Sequence, residues 1–266
     1  MGVSNNEYHY FINLLRIKIN FLERRLCMIG IVTLFILSWI ALQIFGKHSF
    51  SVLGLLPTKK RTKQFIFAFL FTSMLCTLVQ SIDFLFTHQY WKLNPTYSFM
   101  NFLTFFWWNI KSVLFEEFIF RGALLYIIMQ KIGEKKGVAF SAICFGFYHW
   151  FSYGLFGSFI PMILIFLATG FSGLVWAYAF QKTKSMLLPI GFHLGWNFTL
   201  NQIFSKGPLG DQLFISVKGF DYIQLVGIPS LFHFLLPNIA VPLFTYLFIK
   251  FYICKTQTKS IASIQK

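Results

Sequence analysis

The sequence predicts an all-α integral membrane protein, a polytopic bundle of transmembrane helices. Of its 266 residues, 56% are hydrophobic and only 12% are charged, which lies outside the range of ordinary soluble domains. The mean hydropathy is +0.65, and the apolar residues occur in long runs separated by short polar segments. Runs of about 20 apolar residues can cross the hydrocarbon core as helices. We therefore expect about eight spans, with seven as the alternative count.

The net charge is +15, from 23 basic and 8 acidic residues. The lysines and arginines lie almost wholly between or outside the apolar runs, where they would face lipid headgroups. No soluble segment is long enough to carry a basic groove, so we do not expect nucleic acid as a partner. The four cysteines are far apart and form no CxxC pair, which argues against a zinc knuckle and a disulfide framework.

The first predicted elements are an N-terminal amphipathic helix and two spans. Residues 1–25 combine aromatic and basic side chains at helical spacing, a pattern typical of a short helix on the membrane surface. Residues 26–45 form an apolar run too long for a signal peptide, and no small-residue cleavage site follows it. We interpret this run as a retained first span. The second span is predicted at residues 65–86, after a basic loop.

The third and fourth apolar runs are fused into one stretch, residues 97–132. As a single helix, this stretch would extend ~54 Å at ~1.5 Å per residue, well beyond a ~30 Å hydrocarbon core. It must therefore break, overshoot the membrane or tilt.

Four further apolar runs occupy the second half of the chain: 138–153, 157–180, 185–204 and 223–254. Gly170 and Gly173 offer close helix contacts, and Pro189 is expected to weaken the helix around Ser185. A polar connection at about 205–222 precedes the last run. No internal repeat is evident, so we interpret residues 1–266 as a single integral membrane domain.

Basic residues at 131–136, at 182–184 and in the C-terminal tail fall on one side of the membrane if the last four spans alternate. The positive-inside rule assigns that side to the cytoplasm. The basic residues before the first span and those at 47–63 cannot both obey the rule, so the orientation of the N-terminal half stays open. We expect a multi-pass protein of a bacterial cell membrane.

Two acids and an arginine inside the fused run mark the first part of a candidate site: Glu116, Glu117 and Arg121. An acid or arginine at mid-bilayer costs ~2.5–3.5 kcal/mol. Glu117 and Arg121 are four residues apart, share a helix face and can therefore pair. Glu116 points about 100° away from Glu117. An unpaired carboxylate within the membrane indicates a functional site.

Two other runs also carry polar side chains at membrane depth. His149 lies near the end of the 138–153 run, and the 185–204 run holds His193 and Asn197. The last two are four residues apart and share a helix face. In a helix bundle, polar side chains from three segments should meet in the interior. Water and substrate would reach them through a cavity, which we expect to open toward the basic, cytoplasmic side.

These residue types support hydrolysis. A carboxylate beside a neutral imidazole can take a proton from water, and a His/Asn pair can stabilise the developing oxyanion. The same side chains could instead bind zinc, with Glu116, His149 and His193 as protein ligands and water as the fourth. No HExxH motif is present and the three residues lie on different helices. Spacing alone therefore leaves both schemes open.

Three motifs in this order resemble the CPBP family of intramembrane proteases. They are Glu-Glu-x-x-x-Arg at 116–121, Phe-x-x-x-His at 145–149 and His-x-x-x-Asn at 193–197. That family includes the CAAX prenyl endopeptidases and bacterial proteins tied to bacteriocin processing and self-immunity. The motifs lie in a core of about residues 112–200, whereas the remaining spans add only hydropathy to the resemblance.

The resemblance implies a metallo- or glutamate-dependent intramembrane endopeptidase. Its substrate would be a prenylated, lipidated or leader-bearing protein or peptide anchored in the bilayer. The implied catalytic residues are Glu116 as the base that activates water and His149 as its partner at that water. His193 and Asn197 would stabilise the oxyanion. Zinc is an open possibility, and glutamate-activated water without a metal is the alternative.

The supporting residues are Glu117, Arg121 and Phe145. The resemblance implies a structural or substrate-orienting role for the first two, and Phe145 would pack beside the site. Gln80 and Asp83 lie in the second span outside any motif, and we interpret them as polar contacts between helices. The alternative function is a non-proteolytic family member, acting as a bacteriocin immunity factor, a scaffold or an acyl-transfer enzyme.

Overall fold

The computed structural model describes residues 29–45 and 48–253, which are mostly helical. The α-helices are α1 Ile29–Phe45, α2 Lys59–Thr87, α3 Phe99–Arg121, α4 Ala123–Ile132, α5 Glu134–Ser152, α6 Phe159–Thr183, α7 Leu187–Asn197 and α8 Ile228–Phe248. A 3-10 turn covers Phe50–Leu53, and π-helices Phe198–Ile203 and Ile249–Ile253 follow α7 and α8. The amphipathic helix predicted at residues 1–25 lies outside the described residues.

Three helices in the described part of the chain are long and apolar enough to cross a membrane: α2, α6, and α8 with its π-helical extension to Tyr252. The helix α1 is a shorter apolar helix. These lengths and compositions indicate an integral membrane protein. The predicted count of about eight spans is not confirmed, because α4 and α7 have only 10 and 11 residues. Such helices rise only about 15 Å.

The fused apolar run breaks in the structure. The helix α3 ends at Arg121 and α4 begins at Ala123, with Gly122 between them in a non-helical conformation. Of the three outcomes predicted for residues 97–132, the chain therefore takes the first. The break comes directly after the two acids and the arginine, so these side chains occupy the last turns of α3.

A small two-stranded sheet corrects the purely α-helical prediction. Strand β1 (Gln89–Leu93) pairs antiparallel with strand β2 (Phe214–Lys218), and Trp91 lies opposite Ser216. Both strands lie in segments that the hydropathy pattern treats as connections. They are rich in aromatic and β-branched residues, which favour strands, but hydropathy gives no sign that two such distant segments pair.

Helix α7 lies directly against α2. A Cβ atom on Gly191 or Gly195 would collide with the backbone of α2, so these glycines permit the close approach. The Thr72 hydroxyl donates to the Phe192 carbonyl oxygen at 2.8 Å. The Ser73 hydroxyl donates to the Gly195 carbonyl oxygen at 3.1 Å. The two helices run in the same direction, and α2 thereby holds the helix that carries His193.

Pro189 does not weaken a helix around Ser185, contrary to our prediction. The helix α7 begins only at Leu187, so Ser185 precedes it and Pro189 lies in its first turn. The first turn of a helix has no intrahelical partners for its N–H groups, and proline is tolerated there.

Three basic segments meet at one end of the bundle: 54–63, 131–136 and 182–185. The Lys184 ammonium contacts a Glu134 carboxylate oxygen at 2.5 Å, and the Ser185 hydroxyl donates to the Gly54 carbonyl oxygen at 2.7 Å. We call this the basic end. It joins the two basic loops of the second half, as predicted, and adds the loop before α2. The assignment of this end to the cytoplasm stays a prediction.

Candidate active site

The ion pair between Glu117 and Arg121 is present and completely buried. Arg121 Nη1 lies 3.0 Å from Glu117 Oε1, and both side chains have 0% exposure. The guanidinium carbon lies 4.1 Å from the centre of the Phe145 ring and 5.2 Å from that of Trp176, and Arg121 Nη2 donates to the Gly173 carbonyl oxygen at 3.4 Å. A Cβ on Gly173 would crowd Phe145. Glycine here lets α6 close over the arginine.

Glu117 has a second partner that the motif spacing does not predict. Its Oε1 lies 2.8 Å from His193 Nδ1. A carboxylate only accepts hydrogen bonds, so the His193 proton sits on Nδ1 and Nε2 is the acceptor. Asn197 Nδ2 donates to that Nε2 at 3.2 Å, and the imidazole ring stacks on Trp176 at 4.1 Å. Glu117, His193 and Asn197 therefore form one hydrogen-bonded chain.

Glu116 is close to this chain without being part of it. Its Oε2 lies 3.8 Å from His193 Nε2, beyond hydrogen-bond distance, and has no hydrogen-bond partner among the described residues. The residue is 9% exposed. Glu116 lines a cavity in the bundle, whereas the neighbouring Glu117 is fully buried and paired.

His149 approaches from α5. Its Nδ1 donates to the Phe145 carbonyl oxygen, one helical turn earlier, at 2.8 Å. A neutral imidazole that donates from Nδ1 has its lone pair on Nε2. His149 can therefore accept a hydrogen bond from a water molecule, and the bond to Phe145 keeps the ring in place.

A cavity of about 590 Å³ brings the predicted residues together. Five of the seven line it: Glu116, Phe145, His149, His193 and Asn197. The other two, Glu117 and Arg121, are buried behind the cavity wall. Three separate apolar helices, α3, α5 and α7, thus direct polar groups to one point inside the bundle, where carboxylate, imidazole and amide lie around a space that water can fill.

The cavity extends away from the basic end, which makes our prediction of its opening wrong. On α5 the lining residues begin at Phe145 and continue to Tyr153, past the end of the helix that is remote from Glu134. Pro208, which is exposed in the loop after α7, also lines the cavity. No residue of the basic end does. The positions of the basic loops along the sequence do not determine the direction in which the cavity extends.

The side chains as arranged do not form a zinc site. No three His, Cys, Asp or Glu side chains within residues 29–45 and 48–253 are placed to hold one metal ion. Of the ligands considered, His193 has both ring nitrogens engaged, one by Glu117 and the other by Asn197. Zinc dependence stays a prediction that a chelator tests.

Sequence reasoning missed a second group of buried amides next to the site. Asn201 Nδ2 donates to Asn109 Oδ1 at 3.1 Å, and Gln202 Nε2 donates to the Tyr97 hydroxyl at 3.0 Å. Asn201 and Gln202 lie in the π-helix after α7, a distortion often found at functional sites. The sequence spacing could have indicated Asn201, because it follows Asn197 by four residues and shares its helix face.

The segment that builds this site is similar to a known protein family. Residues 98–199 match the family model described as Rce1-like, type II CAAX prenyl endopeptidase. No curated protein and no solved structure matches the chain. The matched segment contains all three motifs and runs from the start of α3 into the π-helix after α7. Over the segment that builds the candidate site the chain is therefore similar to this family, which confirms the resemblance predicted from its motifs.

Proposed function

We propose that this protein is an intramembrane endopeptidase that uses Glu116 and His149 to activate water. The observation that carries the proposal is the position of an unpartnered carboxylate, Glu116, in a cavity that also presents the Nε2 acceptor of His149. A buried acid without a partner destabilises the fold, so its presence indicates a function. The match to the type II CAAX prenyl endopeptidases supports a protease acting on a membrane-associated protein.

In the first step, a water molecule between Glu116 and His149 gives one proton to the Glu116 carboxylate. Its other hydrogen is held by His149 Nε2. The resulting hydroxide forms a bond to the carbonyl carbon of the scissile peptide group, and the electron pair of the C=O bond moves to the oxygen. General-base catalysis of this type contributes about 10²–10⁴-fold.

The oxyanion then needs donors. Asn197 supplies the amide N–H that does not face His193. His193 donates from Nε2 when it has taken up a proton from solvent before the substrate binds, and it keeps that proton through the reaction. The carboxylate of Glu117 on Nδ1 would stabilise that imidazolium, as an acid behind a catalytic histidine does in other hydrolases. When the C–N bond breaks, the proton held by Glu116 passes to the leaving nitrogen. Glu117 therefore acts through His193 as a positioning residue.

The walls of the cavity suit a substrate that enters from the bilayer. Besides the polar groups, the lining includes the large apolar side chains Trp108, Trp196 and Phe234. A peptide with an attached prenyl or acyl chain would keep that chain in an apolar environment while its peptide group reaches Glu116. We therefore propose a lipid-modified or otherwise membrane-anchored peptide as substrate.

The test is direct cleavage. Purified protein in lipid vesicles would be incubated with prenylated, acylated and unmodified versions of one membrane-anchored peptide, with and without a chelator, and the products identified by mass spectrometry. We expect cleavage of a lipid-modified version, abolished by Glu116→Gln and retained by the control Glu134→Gln, which removes a carboxylate outside the cavity. If the Glu116→Gln protein cleaves at the wild-type rate, the mechanism is wrong. If no version is cleaved, a scaffold or immunity role is favoured.

A further inference from the structure

Gln80 on α2 lines the same cavity and has unused hydrogen-bonding capacity. The residue is only 6% exposed and lines the cavity together with Glu116 and His193. Its Oε1 is buried without a hydrogen-bond partner in the described part of the chain. A buried, unpaired amide oxygen destabilises the folded protein. Such a group is a candidate for contact with a ligand.

The polar cluster next to Gln80 on α2 does not include the Gln80 amide. Asp83, one turn further along α2, contacts Gln89 at 3.2 Å, Lys206 at 3.4 Å and His233 at 3.1 Å. That cluster joins α2 to the loop after α7 and to α8, as expected for a polar contact between helices. Gln80 takes no part in it. Of the two residues that we interpreted as helix contacts, only Asp83 behaves as one.

The position of Gln80 along the bundle follows from the contacts of α2. The Thr72 hydroxyl donates to the carbonyl oxygen of Phe192, the residue before His193. Gln80 follows Thr72 by eight residues on a continuous helix, a rise of ~12 Å. It therefore lies ~12 Å from the level of His193, in the part of the cavity remote from the basic end.

Helix α8 brings a second polar site to this level. It runs antiparallel to α2, since Phe71 stacks on Phe248 at 4.5 Å while Asp83 contacts His233. The residues of α8 opposite Gln80 are therefore close to Asn238, which also lines the cavity.

The backbone carbonyl of Asn238 is also without its usual partner. Its α-helical donor would be the N–H of residue 242, but that residue is proline and has no N–H. The Asn238 Nδ2 group is occupied, since it donates to the Phe234 carbonyl oxygen at 2.7 Å. Gln80 on α2 and Asn238 on α8 thus line the same part of the cavity. Each carries an acceptor oxygen that lacks its usual partner.

We propose that Gln80 and Asn238 form a subsite that binds the peptide backbone of the substrate, with Gln80 Oε1 accepting a hydrogen bond from a backbone N–H. An extended peptide covers ~3.3–3.6 Å per residue, so the ~12 Å to the level of His193 correspond to three or four residues. The bound N–H therefore belongs to the third or fourth residue from the scissile bond. This subsite rests on the proposed endopeptidase function and adds the site that sets the register of the peptide.

The experiment compares Gln80→Leu with wild type on one cleavable peptide. Replacing the amide with an apolar side chain of similar size should raise KM about three- to tenfold, the usual worth of one hydrogen bond, with little change in kcat. The melting temperature in detergent should stay the same or rise, because a buried unpaired oxygen is removed. The control is Ser81→Leu on the same helix, whose hydroxyl contacts only its own helix and is exposed.

A backbone-modified substrate identifies the bond itself. Replacing the amide at the third or fourth residue from the scissile bond with an ester removes its N–H. For the wild-type protein, KM should be three- to tenfold higher with one of these esters than with the amide. For Gln80→Leu, the KM values of ester and amide should be the same.

Three results would overturn the inference. The first is an unchanged KM for Gln80→Leu, and the second is equal ester sensitivity of variant and wild type. The third is a lower melting temperature with normal KM, which would make Gln80 a structural contact between helices. Each of these results can be obtained only if the wild-type protein cleaves the peptide. They are therefore distinct from failure of the proposed function, in which the wild-type protein cleaves no peptide and the subsite is also wrong.

Discussion

Glu117 and His193 are joined across helices α3 and α7 by a 2.8 Å hydrogen bond between Oε1 and Nδ1. The same oxygen also accepts from Arg121 at 3.0 Å. One carboxylate oxygen thus ties the buried arginine to the imidazole that faces the cavity. The two neighbouring acids of the motif have different positions: Glu117 behind the cavity wall, and Glu116 in the cavity.

This bond predicts the effect of Glu117→Gln. A neutral amide cannot stabilise a positive charge on His193 and can present either an oxygen or an N–H to Nδ1. We expect kcat to fall about 10²-fold or more, with little change in KM. Steady-state kinetics on the cleavable peptide measure both. If kcat stays within twofold of wild type, His193 does not need the carboxylate, and the role proposed for Glu117 is wrong.

Glu116→Gln should lower the activity without lowering the stability. This side chain has no hydrogen bond at Oε2 among the described residues, and its contact with His193 Nε2 is 3.8 Å long, so the change to glutamine removes little from the fold. We expect turnover to fall about 10²–10⁴-fold while the melting temperature in detergent is unchanged or higher. A variant that melts well below wild type would show that Glu116 has a structural role.

Arg121→Ala should damage the fold as well as the activity. It leaves Glu117 without its cation in a fully buried site, and breaking a buried ion pair costs about 3–5 kcal/mol. Thermal unfolding in detergent is the measurement. The double variant Arg121→Met with Glu117→Gln removes both charges and should lose less stability than Arg121→Ala alone. If Arg121→Ala melts like wild type but is inactive, the arginine contacts substrate instead.

The direction of the cavity predicts which face of the membrane it reaches. Single cysteines would replace Ser152, which is exposed and lines the cavity, and Lys184 at the basic end, in a protein whose four native cysteines have been replaced. A membrane-impermeant thiol reagent should label the two positions from opposite faces of sealed vesicles. Labelling of both from the same face would show that the cavity does not extend away from the basic end.

The contribution of the basic end to stability should depend on pH. The Lys184 ammonium bound to Glu134, helped by Gln181, holds the pKa of that carboxyl below its ordinary value. A lowered pKa in the folded state means that the contact stabilises the protein at neutral pH and that this contribution is lost as the pH falls below about 4.3. Glu134 is half exposed, so we expect a small effect. Melting curves of wild type and Glu134→Gln should converge in acid and differ at pH 7. A difference independent of pH would contradict this.

Local periodicity was sufficient to predict part of the site. Four residues along an α-helix return to the same face, so the pairing of Glu117 with Arg121 and the contact of His193 with Asn197 could be derived from spacing. The different direction of Glu116, about 100° from Glu117, follows from the rotation per residue of the same helix. Hydropathy predicted the helical membrane protein, and motif order predicted the family that residues 98–199 match.

Contacts between distant segments could not be predicted in this way. The bond from Glu117 to His193 depends on how α7 lies against α2, and the glycines at 191 and 195 permit that approach without naming the partner helix. The pairing of β1 with β2 joins segments more than a hundred residues apart, and neither shows a hydropathy pattern that identifies the other.

The sequence by itself determined the class of protein, the chemistry of its buried side chains and which of them share a helix face, because these depend on composition and on local helical geometry. The tertiary structure alone decided that Glu117 binds His193, that Gln80 lines the cavity, and that the cavity extends away from the basic end. These depend on the relative placement of separate helices, which is set by close packing across the whole bundle and leaves no periodic signal in any one segment.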